Sequence, residues 1–368
     1  MSADDGSGDY SEDTDRIETG AAQTVLILSY QRCGSSFFGG LFDAAPKGFY
    51  IYEPLDSLYN AMNIPESELR EVSKFLANLL QCKFQSLPLE FFLHKFWKQF
   101  AIYESSVRPF KDCVIKYELH KAHGRCYNSI KQRCPERFGG NTTLQKACAG
   151  YLSQARTNRN VTTSGQDISE LKLFTSYLSC LERYRDTVDI CISKLNDSCQ
   201  VSSIRSTKTV RATMASVEYL IETVPHLKVI HLVRDPRAVV LSRQDFDSSG
   251  QSLYAKGDII KEAKVFCQNL ANDIVKRRQL ETKYPGSFME VIYDKYVEDP
   301  LRYSQAIYKF MNVTLSNSVR KWIDKISNGP RNSTAIAHRW QYKLSYIKAK
   351  HISESCQDVF ELLDYKMK

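Results

Sequence analysis

Apolar residues along this chain come in short runs set off by polar, glycine- or proline-bearing turns. Residues 24–29, "TVLILS", are apolar and β-branched and predict a short buried strand. "SSFFGGLFDAA" follows as a helix, although Gly39 and Gly40 weaken it. "GFYIYE" predicts a second strand, and Pro54 and Asp56 open a helix with proline in its first turn. Strand, loop, helix, strand is the opening of a parallel α/β sheet. Residues 67–104 carry helical stripes in "SKFLANLLQCKF" and "LEFFLHKFWKQF", and "CVIKYEL" predicts a strand. Residues 122–205 are polar and rich in Cys, Asn and Ser. They read as an insertion in a domain that spans 21–368.

The pattern then becomes regular. "TKTVRAT" predicts a strand, "MASVEYLIETVP" a helix, "LKVIHLV" a buried strand and "DPRAVVLSRQDF" the helix behind it. A long helix over 258–283 leads to the strand "FMEVIYD". Helices follow in "DPLRYSQAIYKFM", in "NSVRKWIDKI" and in two pieces near the end.

Charge changes the picture at one end. The formal net charge of the 368 residues is +8, yet residues 1–20 hold seven acids against Arg16 alone. That segment has no apolar periodicity and reads as a disordered leader or stem, leaving a basic body of about +14. A basic body suits an anionic ligand, though scattered surface lysines give the same sum. No apolar run is long enough to span a membrane, so the chain is either soluble or begins after an anchor. Six of the eleven cysteines fall within 74 residues, and none is spaced as CxxC. Disulfides are therefore expected rather than zinc, or any other metal. Sequons at Asn141, Asn160, Asn196, Asn312 and Asn332 agree with an oxidising secretory lumen.

Two loops carry candidate chemistry. In "SYQRCGSSFFGGLF", a strand ends in a tight turn before a helix, so several N–H groups and the positive helix terminus converge. Gly34 allows close backbone approach, Ser35 and Ser36 add hydroxyls, and Arg32 adds a planar cation. Ser36-Phe37 stands where a nucleotide-triphosphate loop has Lys-Ser/Thr, so the usual γ-phosphate and magnesium handles are missing. The second loop is "VIHLVRDPRAVVLSR". Arg234 ends a strand, Asp235 caps the next helix with Pro236 at its first position, and Ser242 lies about two turns in. Each loop alone also reads as an ordinary strand–helix junction. Together they suit a nucleotide with phosphates at both ends.

The two loops resemble the 5′- and 3′-phosphate motifs of sulfotransferases that use 3′-phosphoadenosine 5′-phosphosulfate (PAPS). More narrowly, the chain resembles the Golgi carbohydrate 6-O-sulfotransferases that act on galactose, N-acetylglucosamine and N-acetylgalactosamine. "FYIYEPLDSLYNAM", "KTVRATM", "VIYDKYVEDPLRYSQAIYKFM", "RNSTAIAHRWQYKLSY" and the terminal "LLDYKMK" share in it, over about residues 24–368 with a divergent middle. The ending looks most like that of the keratan-sulfate galactose 6-sulfotransferases. The departures are Cys33, where the family has Ser or Thr and where redox sensitivity follows, and the missing N-terminal anchor.

The resemblance implies an α/β, P-loop-like three-layer sandwich with a central parallel sheet. It implies PAPS as donor, a glycan or glycosaminoglycan acceptor, and the Golgi lumen, with a membrane anchor known in the family but not present in this sequence; an oligomer is compatible with it. Arg32, Cys33, Gly34, Ser35, Ser36 and Phe37 would hold the 5′-phosphosulfate, Arg234 and Ser242 the 3′-phosphate, and Arg331 would add a nucleotide contact. Glu53, at the end of the second strand, would be the general base, with Arg32 neutralising the leaving phosphate; a structural carboxylate beside Pro54 is its alternative. His120 is a weaker base candidate, while His94 and His231 read as packed histidines and Trp340 as core. Ser333 and Arg339 lie in the C-terminal block. Cys267 and Cys356 stand where the family has cysteines and are expected to pair. Two other functions fit parts of the chain. A P-loop small-molecule kinase would need a lysine that the first loop lacks, and an inactive glycan-binding module would not need two phosphate loops. The basic residues form no aromatic-interleaved stripe, so no nucleic-acid partner is expected.

Overall fold

The computed structural model describes residues 22–58, 64–95, 97, 105–131, 175–248, 258–329 and 332–365. Its centre is a sheet of five parallel strands in the order β2-β3-β1-β4-β5. The strands are β1 (Gln23–Leu28), β2 (Gly48–Tyr52), β3 (Ile204–Thr209), β4 (Lys228–Val233) and β5 (Phe288–Ile292). Strand β1 lies between β3 and β4, and both its faces are covered, which is why its sequence is an unbroken apolar run. Leu26 and Leu28 point into one core layer and Val25 and Ile27 into the other.

Helix α1 (Ser35–Asp43) covers the second of these layers through Phe38, Leu41 and Phe42. The two glycines that weaken it permit close packing. A Cβ on Gly39 would overlap the Tyr50 hydroxyl, and one on Gly40 would overlap the Trp322 ring. On the other face lie α2 (Leu69–Leu80), α3 (Arg108–Lys116), α4 (Arg185–Gln200), α5 (Met214–Thr223), α6 (Pro236–Ser248) and α7 (Ile259–Lys283). Helices α8 (Pro300–Phe310) and α9 (Asn317–Ser327) return to the α1 side. The chain then runs through α10 (Ser333–His338) to α11 (Tyr346–Ser355), and α11 packs on α7. Helices on both faces of a parallel sheet make the expected three-layer α/β sandwich.

Strand β1 is followed by a helix on one face and its neighbour β4 by a helix on the other. The strand order reverses between them, and at such a switch point the C-terminal strand ends open into a crevice. Both candidate anion loops stand there.

Two local expectations need correction. "CVIKYEL" is not a strand: residues 108–116 are helical and a single 3-10 turn follows at Leu119–Lys121. Phe110 and Val114, four apart, are buried on one helical face, and Cys113 is bonded to Cys191 on α4. The tertiary contact thus overrides the local β-branched composition. The helix expected from Pro54 is only one 3-10 turn, Pro54–Ser57.

The described residues contain four disulfides: Cys82–Cys199, Cys113–Cys191, Cys126–Cys180 and Cys267–Cys356. The expected pairing of Cys267 with Cys356 is among them. Cys191 and Cys199 lie eight residues apart on α4, so one helical face is bonded at two points to chain outside the 122–205 segment. Cys134 and Cys148, Asn141 and Asn160, and the acidic leader lie outside the described residues.

Candidate active site at the β1–β4 switch point

The first loop is built on two left-handed residues. Arg32 has φ 72° and Gly34 φ 81°, on either side of Cys33. Gly34 is the N-cap of α1 and offers no side chain to the first-turn N–H groups, which have no partner within the helix. The positive φ favours glycine there, and so does space, because a Cβ would overlap the Tyr293 ring. The Gln31 carbonyl accepts from Arg243 Nε at 3.3 Å, and the Arg32 carbonyl accepts from Arg234 Nη1 at 3.0 Å. Peptide C=O and N–H groups point in opposite directions. Holding the Gln31 carbonyl on α6 therefore turns the Arg32 N–H away from that helix.

The second loop supplies those arginines. Arg234 is buried, and its Nη2 also donates to the Ile336 carbonyl at 3.0 Å. Its guanidinium lies 5.2 Å from the centre of the Tyr293 ring. Its Nε faces Asp294 Oδ1 at 3.7 Å, and neither atom has a hydrogen-bond partner among the described residues. Asp294 Oδ2 accepts from the Asp235 N–H at 2.8 Å and from the Tyr365 hydroxyl at 2.9 Å. Burial, and then the nearby Asp235, raise the Asp294 pKa, and Arg234 opposes them. Asp235 caps α6 by accepting from the Arg237 N–H at 2.8 Å. Arg237 in turn stacks on Trp340 at 3.8 Å, which makes that tryptophan part of the core.

The loops meet directly. Arg32 Nε donates to Ser242 Oγ at 3.0 Å. Arg32, Cys33, Gly34, Ser35, Ser36, Arg234 and Ser242 thus converge on the β1–β4 crevice. Phe37 turns into an aromatic cluster with Tyr293, Tyr296 and Trp322. Arg331 lies outside the described residues. Cys33 is fully buried, and burial pushes its thiol up to about 12, with Arg243 and Arg234 opposing. The thiol stays protonated and out of solvent, so the redox sensitivity expected at this position has no exposed thiolate to act through.

Glu53 stands apart from the first loop because β3 lies between β2 and β1. The link runs through side chains. Ser36 Oγ is 2.8 Å from the Tyr52 hydroxyl, and Lys208 Nζ sits 3.8 Å from the centre of the Tyr52 ring. Lys208 Nζ also donates to Glu53 Oε1 at 2.6 Å. Arg211 Nη1 and the Val210 N–H donate to Glu53 Oε2 at 3.1 and 3.2 Å, and Arg211 also binds Asp56. Sequence reasoning alone misses Lys208 and Arg211. The available signal is a charged residue at the C-terminal end of a buried strand, where sheet ligands bind.

A cleft of about 720 Å³ opens beside these groups, with Tyr30, Gln31, Arg211, Thr213, Arg243 and Asp273 in its wall. At its base, Tyr30 OH donates to Asp273 Oδ2 at 2.7 Å and lies 2.9 Å from His231 Nε2. Asp273 Oδ1 accepts from the Met214 N–H at 2.8 Å, so one carboxylate ties the loop after β1 to that after β3. Of the other histidines, His120 lies in the 3-10 turn after α3, and His94 stacks edge-on to His123 at 5.1 Å. Among the described residues no cluster of His, Cys, Asp or Glu could hold a metal ion.

The model of the Sulfotransferase family matches residues 24–317. The chain belongs to that family. It is therefore a sulfotransferase, and the parallel sheet with anion loops at its switch point is the sulfotransferase α/β fold. The chain is 28% identical to human "Carbohydrate sulfotransferase 1", with 93% of this chain and 79% of that protein covered. It is 23% identical to human "Carbohydrate sulfotransferase 5", with 93% and 77% covered. Among solved structures, the sulfotransferase domain from the Synechococcus PCC 7002 olefin synthase is 14% identical. It covers 94% of this sulfotransferase and 96% of its own length at a TM-score of 0.44.

Proposed function

We propose that this sulfotransferase moves a sulfuryl group from PAPS to the 6-hydroxyl of a galactose, N-acetylglucosamine or N-acetylgalactosamine residue in a glycan chain. Relatives named as carbohydrate sulfotransferases support the acceptor class. The observation that carries the donor assignment is the contact between the two loops, Arg32 to Ser242 and Arg234 to Arg32. It puts the cradle for a 5′-phosphosulfate and the Arg234–Ser242 pair within reach of one adenosine bisphosphate. The donor set fits: first-turn N–H groups without a capping side chain, two serine hydroxyls, and a buried guanidinium whose Nε lacks a hydrogen-bond partner. Four disulfides support an oxidising lumen such as the Golgi.

PAPS supplies the sulfuryl group, whose low charge makes a metal unnecessary. In this reading Arg32 lies against the leaving phosphate and neutralises the charge that develops there, a contribution of about 3 kcal/mol. Glu53 takes the acceptor's proton, with Lys208 and Arg211 fixing its carboxylate. The cleft over Tyr30 and Asp273 admits the acceptor sugar. The test has two arms. Calorimetry with 3′-phosphoadenosine 5′-phosphate is expected to give saturable heat. Labelled PAPS with a panel of desulfated glycans, followed by linkage analysis, is expected to put label on a 6-hydroxyl. Transfer from labelled ATP but not from PAPS, or glycan binding with no nucleotide heat, overturns the reading.

A further inference from the structure

The segment from Asn332 to Ser353 holds no aspartate or glutamate, but it contains Arg339, Lys343, Lys348 and Lys350. It also carries some of the most exposed large apolar side chains of the described residues: Tyr346 at 72%, Tyr342 at 68% and Ile347 at 66%. Exposed apolar groups of this size rarely gather on a free surface without a partner. Here they alternate with cations along a single ridge. Tyr346 and Lys350 are one turn apart on α11, as are Ile347 and His351. No acid lies within ion-pair distance of Lys343 or Lys348 among the described residues, while Lys350 meets Glu354 only at 3.9 Å on an exposed face. That last pair contributes little.

The ridge is rigidly mounted. Ile352 is buried beneath it, and Cys356, just past the end of α11, is bonded to Cys267 on α7. It also starts at the nucleotide site, because Arg339 pairs with Asp245, three residues beyond Ser242 on α6. Arg234 holds the Ile336 carbonyl at the other side of the same junction.

We propose that this ridge is a binding track for an anionic, sulfated polysaccharide, outside the cleft that takes the reacting sugar. Lysines pair with sulfate or carboxylate groups, and the faces of Tyr342 and Tyr346 pack against sugar rings. The argument for this occupant is charge complementarity, and it rests on the carbohydrate-acceptor reading. A chain sulfated at successive residues gains one negative charge at each turnover, so a basic track beside the site holds the polymer between turnovers.

The test measures binding of fluorescent chondroitin sulfate chains to the intact protein across a salt series. Lys343→Ser/Lys348→Ser is expected to weaken binding about tenfold and to lower the slope of log affinity against log salt by about 1 to 2. Tyr346→Ser is expected to weaken it at every salt concentration without changing that slope. Heat from 3′-phosphoadenosine 5′-phosphate and the KM for a short desulfated oligosaccharide are expected to stay at wild-type values. Unchanged polysaccharide affinity in both variants overturns the proposal. So does tighter binding of the wild type to single-stranded RNA or to phosphatidylserine vesicles at equal salt. If the wild type binds the polysaccharide through these residues yet transfers sulfate to no glycan, the track stands and the acceptor reading falls.

Discussion

Arg234 donates to the backbone carbonyl of Arg32 at 3.0 Å, so the cation that ends β4 holds in place the loop that ends β1. Arg234 is thus part of the scaffold as well as a candidate phosphate ligand. Replacing it with alanine leaves the carbonyls of Arg32 and Ile336 without this donor in a buried setting. Arg234→Ala is expected to lower unfolding free energy by about 3 kcal/mol. It is also expected to weaken 3′-phosphoadenosine 5′-phosphate binding about a hundredfold, from loss of a charge-assisted fork. Denaturant melts and calorimetry check the two effects separately. A variant of wild-type stability would show that the carbonyl contacts do not hold the loop.

Gly34 sets the shape of the cradle. Its φ of 81° costs an L-residue about 1–2 kcal/mol, and a Cβ would also push against Tyr293. Gly34→Ala is therefore expected to displace either the loop or the Tyr293 ring and to remove measurable nucleotide heat. Gly286 gives the control. Its φ is 76°, but nothing lies within 4 Å of the point where a methyl group would stand. Gly286→Ala is expected to cost a similar backbone strain and to leave nucleotide binding intact.

Glu53 is held by two buried cations, so its replacement has a structural and a chemical consequence. Glu53→Gln is expected to lower kcat by about 10²–10⁴ as a lost general base. It also leaves Lys208 and Arg211 short of a counter-charge, at a cost of about 3 kcal/mol in stability. The double variant Glu53→Gln/Lys208→Met removes one of those cations and is expected to recover part of the stability and none of the turnover. Recovery of turnover along with stability would make Glu53 a structural carboxylate, the alternative reading of its sequence position.

The strands and anion loops were legible because they rest on local rules. A β-branched run bounded by turns becomes β1, and Asp235-Pro236 starts α6 as its capping chemistry requires. What stayed hidden depends on contacts across the fold. Phe110 and Val114 look strand-like until α4 and the Cys113–Cys191 bond cover one face. Lys208 and Glu53 are 155 residues apart in sequence and meet only because β3 lies beside β2. No local pattern announces such a pair. Tyr293 over Gly34 is hidden for the same reason, since β5 must be in place before the ring reaches the first loop.

Acid sensitivity follows from three buried groups. Burial lowers His231 to about 3, with Arg277 contributing, and lowers His94 to about 3, with His123, Lys95 and Arg211 contributing. Both are neutral in the folded protein, whereas the unfolded chain takes up protons below about pH 6.5. Each histidine thus contributes stability that is present above that pH and is lost, by about 1.4 kcal/mol per pH unit, as pH falls toward 3. Asp273 acts in the opposite sense. Burial raises it to about 6, against hydrogen bonds from Tyr30 and the Met214 N–H, so its contribution is present below about pH 4 and is lost as pH rises through 6. Between pH 6 and 4 the two histidines outweigh the one carboxyl by about one proton. Urea midpoints are therefore expected to be flat, as far as these groups go, from pH 8 to 7 and to fall below about 6.5. His231→Gln is expected to remove about one proton from that slope, and Asp273→Asn to steepen it between pH 6 and 4. A wild-type midpoint that does not change from pH 7 to 5 would mean that His94 and His231 are not held neutral in the fold.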